Sequence, residues 1–288
     1  MTDVEFAAPL SLDEAWRLLA MPNAGTRLLA GGTDLIVQMR SGRTSPQRIV
    51  DIKQIPELVG VRSDRGGFLI GAATPCAIIG EHSGLLASWP GVVEASRLIG
   101  STQVQGRASL GGNLCNASPA ADSVPALIAA GASCVIGSAS AQRELAVEAF
   151  LLAPGKTALA AGELLLALRL PARAARSGDA YLRLIPRTEM DIAVVGAGVS
   201  VTVDAARKIV SARVAIGAVA PTALLVTSAA HAIVGSTLSE AVLTNLEAAV
   251  RAVCRPIDDK RGTIAYRTQV AGVLARRAAL IAYDRAQS

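Results

Sequence analysis

Apolar positions along this chain recur at helical spacing in some stretches and as short unbroken or alternating runs in others, and the switches between them mark the elements. Residues 11–20, SLDEAWRLLA, open on a Ser cap, carry acidic residues in the first turn and space their apolar residues for a helix, which Pro22 and Gly25 stop. TRLLAGGTDLIVQMRSG then predicts a short strand, two glycines and an apolar helix, and residues 47–61 a strand and a turn. This makes a compact βαβ unit by about residue 55. GGFLIGAATPCAIIGEH predicts a strand leading into a helix, and helical spacing from Gly91 ends at Leu98, before a second Gly-rich loop. From residue 124 the runs VPALIAAGASCVIGS, LAVEAFLL and ELLLALRLP read as strands of a second lobe.

PARAARSGDA, residues 171–180, is rich in Arg, Ala and Gly and predicts an exposed linker with the domain boundary inside it. The expected organisation is a first domain over 1–174, with lobes 1–55 and 56–174, and a second domain over 178–288. In the second, residues 191–226 read as two or three strands with a hairpin turn at Asp204–Lys208. A capped amphipathic helix follows from Ser239 to about Cys254, then a long helix from about Gly262 to Tyr283. The fold class is α+β.

Composition adds mostly exclusions. With 288 residues, 51% hydrophobic and 3% aromatic, the chain can bury a large core of small aliphatic side chains, and disorder is excluded. The net charge of +5 comes from scattered arginines without a run that would make a nucleic-acid arm. Arg169, Arg173, Arg176, Arg183 and Arg187 are the one concentration, read as a solvated connector ahead of an anion or docking patch. Cys76, Cys115, Cys134 and Cys254 lie far apart with no CxxC pair, which argues against a zinc or iron–sulfur site in this chain. No basic-then-apolar leader and no apolar stretch of about 18 residues occurs, so the expectation is a cytoplasmic protein with reduced thiols and no transmembrane segment.

Three glycine clusters compete for chemistry. GAGVSV, 196–201, has Val201 where a dinucleotide fingerprint needs its third small residue, and the strand-like VTVDAARK follows it, so it reads as a core strand. No Walker-type GxxxxGK[ST] is present. AGGTDL, 30–35, and SLGGNLCNASPAAD, 109–122, share a different character. Glycines let a chain approach a diphosphate without a Cβ clash and adopt positive φ. Thr33, Ser109, Asn113 and Asn116 add neutral hydrogen-bonding groups, and Asp34 and Asp122 could accept from ribose or ribityl hydroxyls. Each loop alone is more often a tight turn, but the two together could grip one extended cofactor. His82 and His231 have no partner motif and read as structural, and Cys115 reads as packing rather than a flavin attachment point.

LLAGGTDLIVQMRSG with RASLGGNLCNASPAADSVPALIAAGA resembles the FAD-binding medium subunit of the xanthine dehydrogenase and carbon monoxide dehydrogenase group, and the similarity spans nearly the whole chain. YLRLIPRTEMDIAVVGAGVSV resembles the opening of that family's C-terminal flavoprotein domain and IAYRTQVAGVLARRAAL its last helix. The resemblance implies a two-lobed FAD-binding domain of the vanillyl-alcohol oxidase and p-cresol methylhydroxylase type, followed by a smaller α+β domain with a three-stranded antiparallel sheet and helices. Carried over, it places Leu28, Leu29, Ala30, Gly31, Gly32, Thr33, Asp34 and Leu35 in the first diphosphate loop and Ile99 and Gly100 near the flavin. Ser109, Gly111, Gly112, Asn113, Asn116 and Asp122 would hold the diphosphate, ribityl and adenosine parts, and Leu165 would lie beside the cofactor. Arg183 stands where many relatives carry a Lys near the ring, and its planar fork fills that space differently.

The implied function is electron transfer. A small partner subunit with two [2Fe–2S] clusters passes electrons from a large molybdopterin subunit, which hydroxylates the substrate, to FAD here, for an external acceptor such as NAD⁺, oxygen or a quinone. The expected assembly is a dimer of heterotrimers, and no acid, base or nucleophile is nominated. The alternatives are an assembly protein with a degenerate flavin fold and a stand-alone FAD oxidoreductase.

Overall fold

The computed structural model describes residues 4–21 and 25–288. Its first lobe holds β1 (Glu5–Ala7), α1 (Leu12–Ala20), β2 (Thr26–Leu29), α2 (Leu35–Arg40) and β3 (Arg48–Asp51). The strands form a parallel sheet in the order β1-β3-β2, so β2–α2–β3 is the expected βαβ unit. Ser11 caps α1 by accepting from the Glu14 amide at 3.3 Å. Pro22, one of the two residues expected to stop this helix, lies outside the described residues.

The second lobe runs through β4 (Val61–Asp64), β5 (Gly67–Gly71), α3 (Cys76–Glu81), α4 (Ser83–Ser88), α5 (Pro90–Arg97), α6 (Thr102–Gln105), α7 (Leu110–Cys115) and α8 (Ser123–Ala129). It closes with β6 (Ser133–Gly137), β7 (Gln142–Ala146), α9 (Val147–Phe150), β8 (Leu151–Ala153), β9 (Lys156–Thr157) and β10 (Leu164–Leu170). Its antiparallel sheet has the order β4-β5-β10-β6-β7. The central strand β10, LLLALRL, is apolar throughout because both faces are covered. Leu164 and Leu166 join the first-lobe core around Val50, Ile52 and Ile55, whereas Leu165 and Leu168 face the second-lobe core around Leu110, Leu127 and Phe150.

Two stretches read as strands in this lobe are helical: VPALIA belongs to α8 and VEAF forms α9. Every residue of α8 is buried, so no polar face exposes its 3.6-residue period, and a short apolar run cannot be told from a strand. The second Gly-rich loop is likewise a helix in its core, α7.

The C-terminal domain contains β11 (Ser177–Leu184), β12 (Val195–Val203), β13 (Ile209–Gly217), β14 (Leu224–Leu225), α10 (Thr227–Ile233), α11 (Glu240–Val253) and α12 (Ile264–Arg285). Its sheet is antiparallel in the order β11-β12-β13-β14, so a two-residue edge strand extends the expected three. GAGVSV lies inside β12, as a core strand. The linker is exposed from Pro171 to Arg176 apart from half-buried Arg173, but Gly178, Asp179 and Ala180 are buried in β11. A Cβ on Gly178 would stand 1.9 Å from the Ala282 carbonyl oxygen, which brings β11 hard against α12.

Candidate binding cleft between the lobes

Both glycine pairs border a single cleft of about 390 Å³, between the first lobe and the α7 side of the second. Leu28, Ala30, Gly31, Gly32, Thr33, Asp34 and Leu35 line one side, and Ser109, Gly111, Gly112, Asn113 and Asn116 the other, with Ile99 and Leu165 in the wall. Leu29 is not in the wall. Side chains alternate along β2, and the Leu29 Cδ1 lies 2.8 Å from where a Cβ on Gly32 would stand. Gly100 is also outside the wall, next to lining Ile99, with φ +64° and its carbonyl accepting from the Met190 amide at 3.3 Å.

Close packing brings the two pairs together. A Cβ on Gly31 would sit 2.2 Å from the Arg107 carbonyl oxygen, and one on Gly111 would sit 2.3 Å from that of Ala72. Neither backbone could approach so closely with a larger residue. Gly32 alone of the four has positive φ, +76°, and turns the chain from β2 into α2. Across the cleft, the Gln38 amide Nε2 donates to Asn116 Oδ1 at 3.0 Å and clasps α2 to the end of α7.

The donors fit a phosphorylated ligand. Among the described residues, the amides of Gly31, Gly32, Thr33, Asp34 and Leu35 donate to no protein acceptor. Such a run of unengaged N–H groups in a glycine loop is the arrangement that holds phosphate oxygens. Asn113 Oδ1 accepts from the Ser123 amide at 3.3 Å and hydroxyl at 2.7 Å. Because the Ser123 amide can only donate, this fixes the Asn113 orientation and leaves Nδ2 as a donor for the cleft. Ser109 caps α7 by accepting from the Gly112 amide at 3.0 Å, which leaves its own hydroxyl proton available.

Two expected contacts lie elsewhere. Asp122 and Arg183 do not line the cleft: the guanidinium donates to Asp122 Oδ2 at 2.7 Å and the Tyr181 hydroxyl to Oδ1 at 3.2 Å. This buried pair ties the start of α8 to β11. Burial pushes the Asp122 carboxyl up to about 6, against the opposing pull of Arg183 and Tyr181. In the cleft, burial also raises the Asp34 carboxyl above its ordinary value. Cys115 is exposed to the cleft, yet protein surrounds it closely enough to push its thiol up to about 12, so it is a poor nucleophile near neutral pH.

The structure also adds residues that sequence reasoning missed: Arg27, Gln38, Ile52, Ala72, Ala108, Gly155, Leu159 and Leu164 line the cleft too. Gln38 could have been found as one helical turn beyond Asp34. Gly155, from the β8–β9 turn, carries no local signal. The arginine concentration is not one patch, because Arg169 pairs with Asp64 and Glu144, Arg173 with Asp179, Arg183 with Asp122 and Arg187 with Asp191. His82 accepts from the Leu85 amide at 3.2 Å, a structural role.

Residues 2–173 match the family of the FAD binding domain in molybdopterin dehydrogenase, and residues 180–282 match the CO dehydrogenase flavoprotein C-terminal domain. The chain is 33% identical to the carbon monoxide dehydrogenase medium chain of Hydrogenophaga pseudoflava, over 98% of this chain and 97% of that one. With the medium chain of Afipia carboxidovorans it shares 34% identity over 99% and 98%. A solved carbon monoxide dehydrogenase from Hydrogenophaga pseudoflava superposes with a TM-score of 0.94 at 32% identity, covering 98% of each chain. The two converging glycine turns and the antiparallel C-terminal sheet are thus those of a known architecture, and the chain belongs to the family of FAD-binding medium subunits of the molybdenum hydroxylases.

Proposed function

We propose that the cleft holds FAD with its diphosphate between the 31–35 loop and the first turn of α7. The observation that carries this reading is the run of unengaged amides from Gly31 to Leu35, directly across from Ser109 and Asn113 on one cleft. Ala30, Gly31, Gly32 and Thr33 would carry the phosphate oxygens, with Leu28 and Leu35 beside them. Ser109, Gly111, Gly112, Asn113 and Asn116 would close the opposite side, and Ile99 and Leu165 would supply an apolar flank suited to the flavin ring, with Gly100 next to Ile99 behind it. Asp34 would accept from a cofactor hydroxyl. Asp122 and Arg183 would act from behind α8, holding the Asn113–Ser123 contact in place rather than touching the cofactor.

When bound, FAD supplies reversible electron acceptance. The chain's own residues bind it, orient it and keep water from its apolar side; none is positioned as an acid or base for the organic substrate. The chain would work in the cytoplasm with a large molybdenum-cofactor subunit and a small [2Fe–2S] subunit, as a dimer of heterotrimers. It would receive electrons from the small subunit and release them to an external acceptor. Its match over nearly its whole length to medium chains of carbon monoxide dehydrogenase supports assigning the clusters to partner subunits.

An absorption spectrum of the purified chain tests the reading. Flavin bands, with FAD released on denaturation, are the expected result. A colourless chain that takes up no flavin when FAD is added would sink it.

A further inference from the structure

A second hollow, of about 350 Å³, opens where the interdomain linker, the turn between β12 and β13 and the end of α12 meet, and it shares no lining residue with the cofactor cleft. Arg176 borders it from the linker, Asp204 and Arg207 from the turn, and Arg285 from α12. The lining side chains bring three guanidinium groups against one carboxylate. That carboxylate is engaged, because Asp204 Oδ1 accepts from the Lys208 amide at 2.8 Å. Arg285 is engaged as well, donating to Glu94 and, at 2.7 Å, to the Asp179 carbonyl oxygen. Arg176 and Arg207 are exposed, and among the described residues neither side chain forms an ion pair or a hydrogen bond.

Both arginines sit where the backbone resists them. Arg176 has φ +54° and Arg207 φ +62°, in the left-handed region that glycine enters freely and a side chain enters at a cost. Arg207 closes the hairpin turn by donating its amide to the Asp204 carbonyl oxygen at 3.0 Å, a position that glycine or asparagine ordinarily fills. Arg65 has a similar backbone, with φ +49°, but Glu144 answers its charge at 3.4 Å. Two strained residues that border one hollow, each with an unanswered cation, form the pattern of a ligand clamp. A guanidinium fork grips a phosphate through paired, charge-assisted hydrogen bonds.

We infer that this hollow is a second ligand site, in which Arg176 and Arg207 hold a phosphate group, free or carried on a small molecule. A phosphate gripped by both would tie the interdomain linker to the hairpin turn of the C-terminal domain. The inference does not depend on what the cofactor cleft holds.

The test is thermal denaturation of the full chain in excess FAD, with inorganic phosphate, AMP or acetate added at constant ionic strength. Phosphate or AMP is expected to raise the Tm of wild type by about 2–5 °C and to saturate. The general stabilisation by excluded salts does not saturate, which separates it from binding. In the double variant Arg176→Gly/Arg207→Gly the saturable rise should vanish. Without added anion that variant should melt within about 2 °C of wild type, since glycine adopts both backbone conformations without strain. Arg176→Asn and Arg207→Asn, each of which also accepts the left-handed backbone, carry the test if the double variant does not fold. Saturation by AMP at lower concentration than phosphate supports a phosphate ester as the ligand, and the reverse order supports the free ion. A wild-type Tm that climbs without saturating under both, a rise that acetate reproduces, or a saturable rise that survives in the variants overturns the inference.

Discussion

The two glycine pairs spell the same dipeptide and serve different physical needs. In the first lobe, Gly31 is small because the Arg107 backbone crosses it, and Gly32 is glycine because its φ of +76° turns strand into helix. In the second lobe both glycines sit inside a helix. Gly111 is small because the Ala72 carbonyl lies against it, whereas Gly112 would meet only Ser109 Oγ at 3.1 Å and Ala30 Cβ at 3.8 Å. The bracing differs too. α7 is tied through Asn113 and Ser123 to α8, and from there through Asp122 to Arg183, while α2 reaches across by Gln38 to Asn116. A flexible-looking motif is therefore half a packing motif: Gly31 and Gly111 each meet a backbone, whereas Gly32 and Gly112 face only side chains.

The largest expected effect breaks the comparison at its tightest points. Gly31→Ala and Gly111→Ala each force a methyl into a carbonyl oxygen of another segment, which cannot yield as a side chain could. Each should cost about 3 kcal/mol or more and lower Tm by roughly 6 °C or more, with FAD uptake lost in parallel. A thermal melt unchanged in either variant would show that the lobes are not packed as described.

A middle-sized effect sharpens the contrast in bracing. The folded-state pKa of Asp122, about 6, lies above its ordinary value of 3.8, so its proton stabilises the fold fully below about 4, and this contribution is lost as pH rises through about 6. Asp179, also raised to about 6 by burial, has the same sign. Urea unfolding of wild type and Asp122→Asn between pH 7 and pH 5 should therefore diverge, wild type gaining about 1 kcal/mol per pH unit relative to the variant below pH 6. Equal slopes in the two proteins would remove Asp122 from this role.

The smallest effect is expected at Gly112. Alanine there gains up to about 1 kcal/mol of helix propensity and gives part of it back against the Ser109 hydroxyl that caps the same turn. The stability of Gly112→Ala should stay within about 1 kcal/mol of wild type, as measured by urea unfolding. If it falls as far as Gly111→Ala, the distinction between the two neighbouring glycines is lost.

Much of this was legible in the residues. The Ser11 cap, the strand–glycine–helix plan of residues 26–40, the hairpin at Asp204–Lys208 and the long last helix all follow from local patterns and hold in the fold. α8 was illegible because burial on every side erases the polar face that distinguishes a helix from a strand, and α9 because a single four-residue turn is too short to show a period. Asp122 reads as a cofactor contact because a carboxylate closing the second glycine segment can accept from ligand hydroxyls, and Arg183 because the family resemblance sets it where relatives carry a Lys near the ring. Their mutual pairing depends on β11 crossing behind α8, 61 residues along the chain, which no local pattern encodes.

By itself the sequence determined the α+β class and two glycine segments of phosphate-binding character, since propensity, capping and motif spacing act over a few residues and survive translation into structure, and its resemblance to known medium subunits pointed to the family. Only the tertiary structure decided that these segments face each other, that Gly31 and Gly111 are small to let backbones touch, and that Arg183 pairs with Asp122 away from the cleft. The reason is that proximity between distant segments is set by the summed packing of three cores, and the same local pattern serves a site or a brace according to what that packing brings beside it.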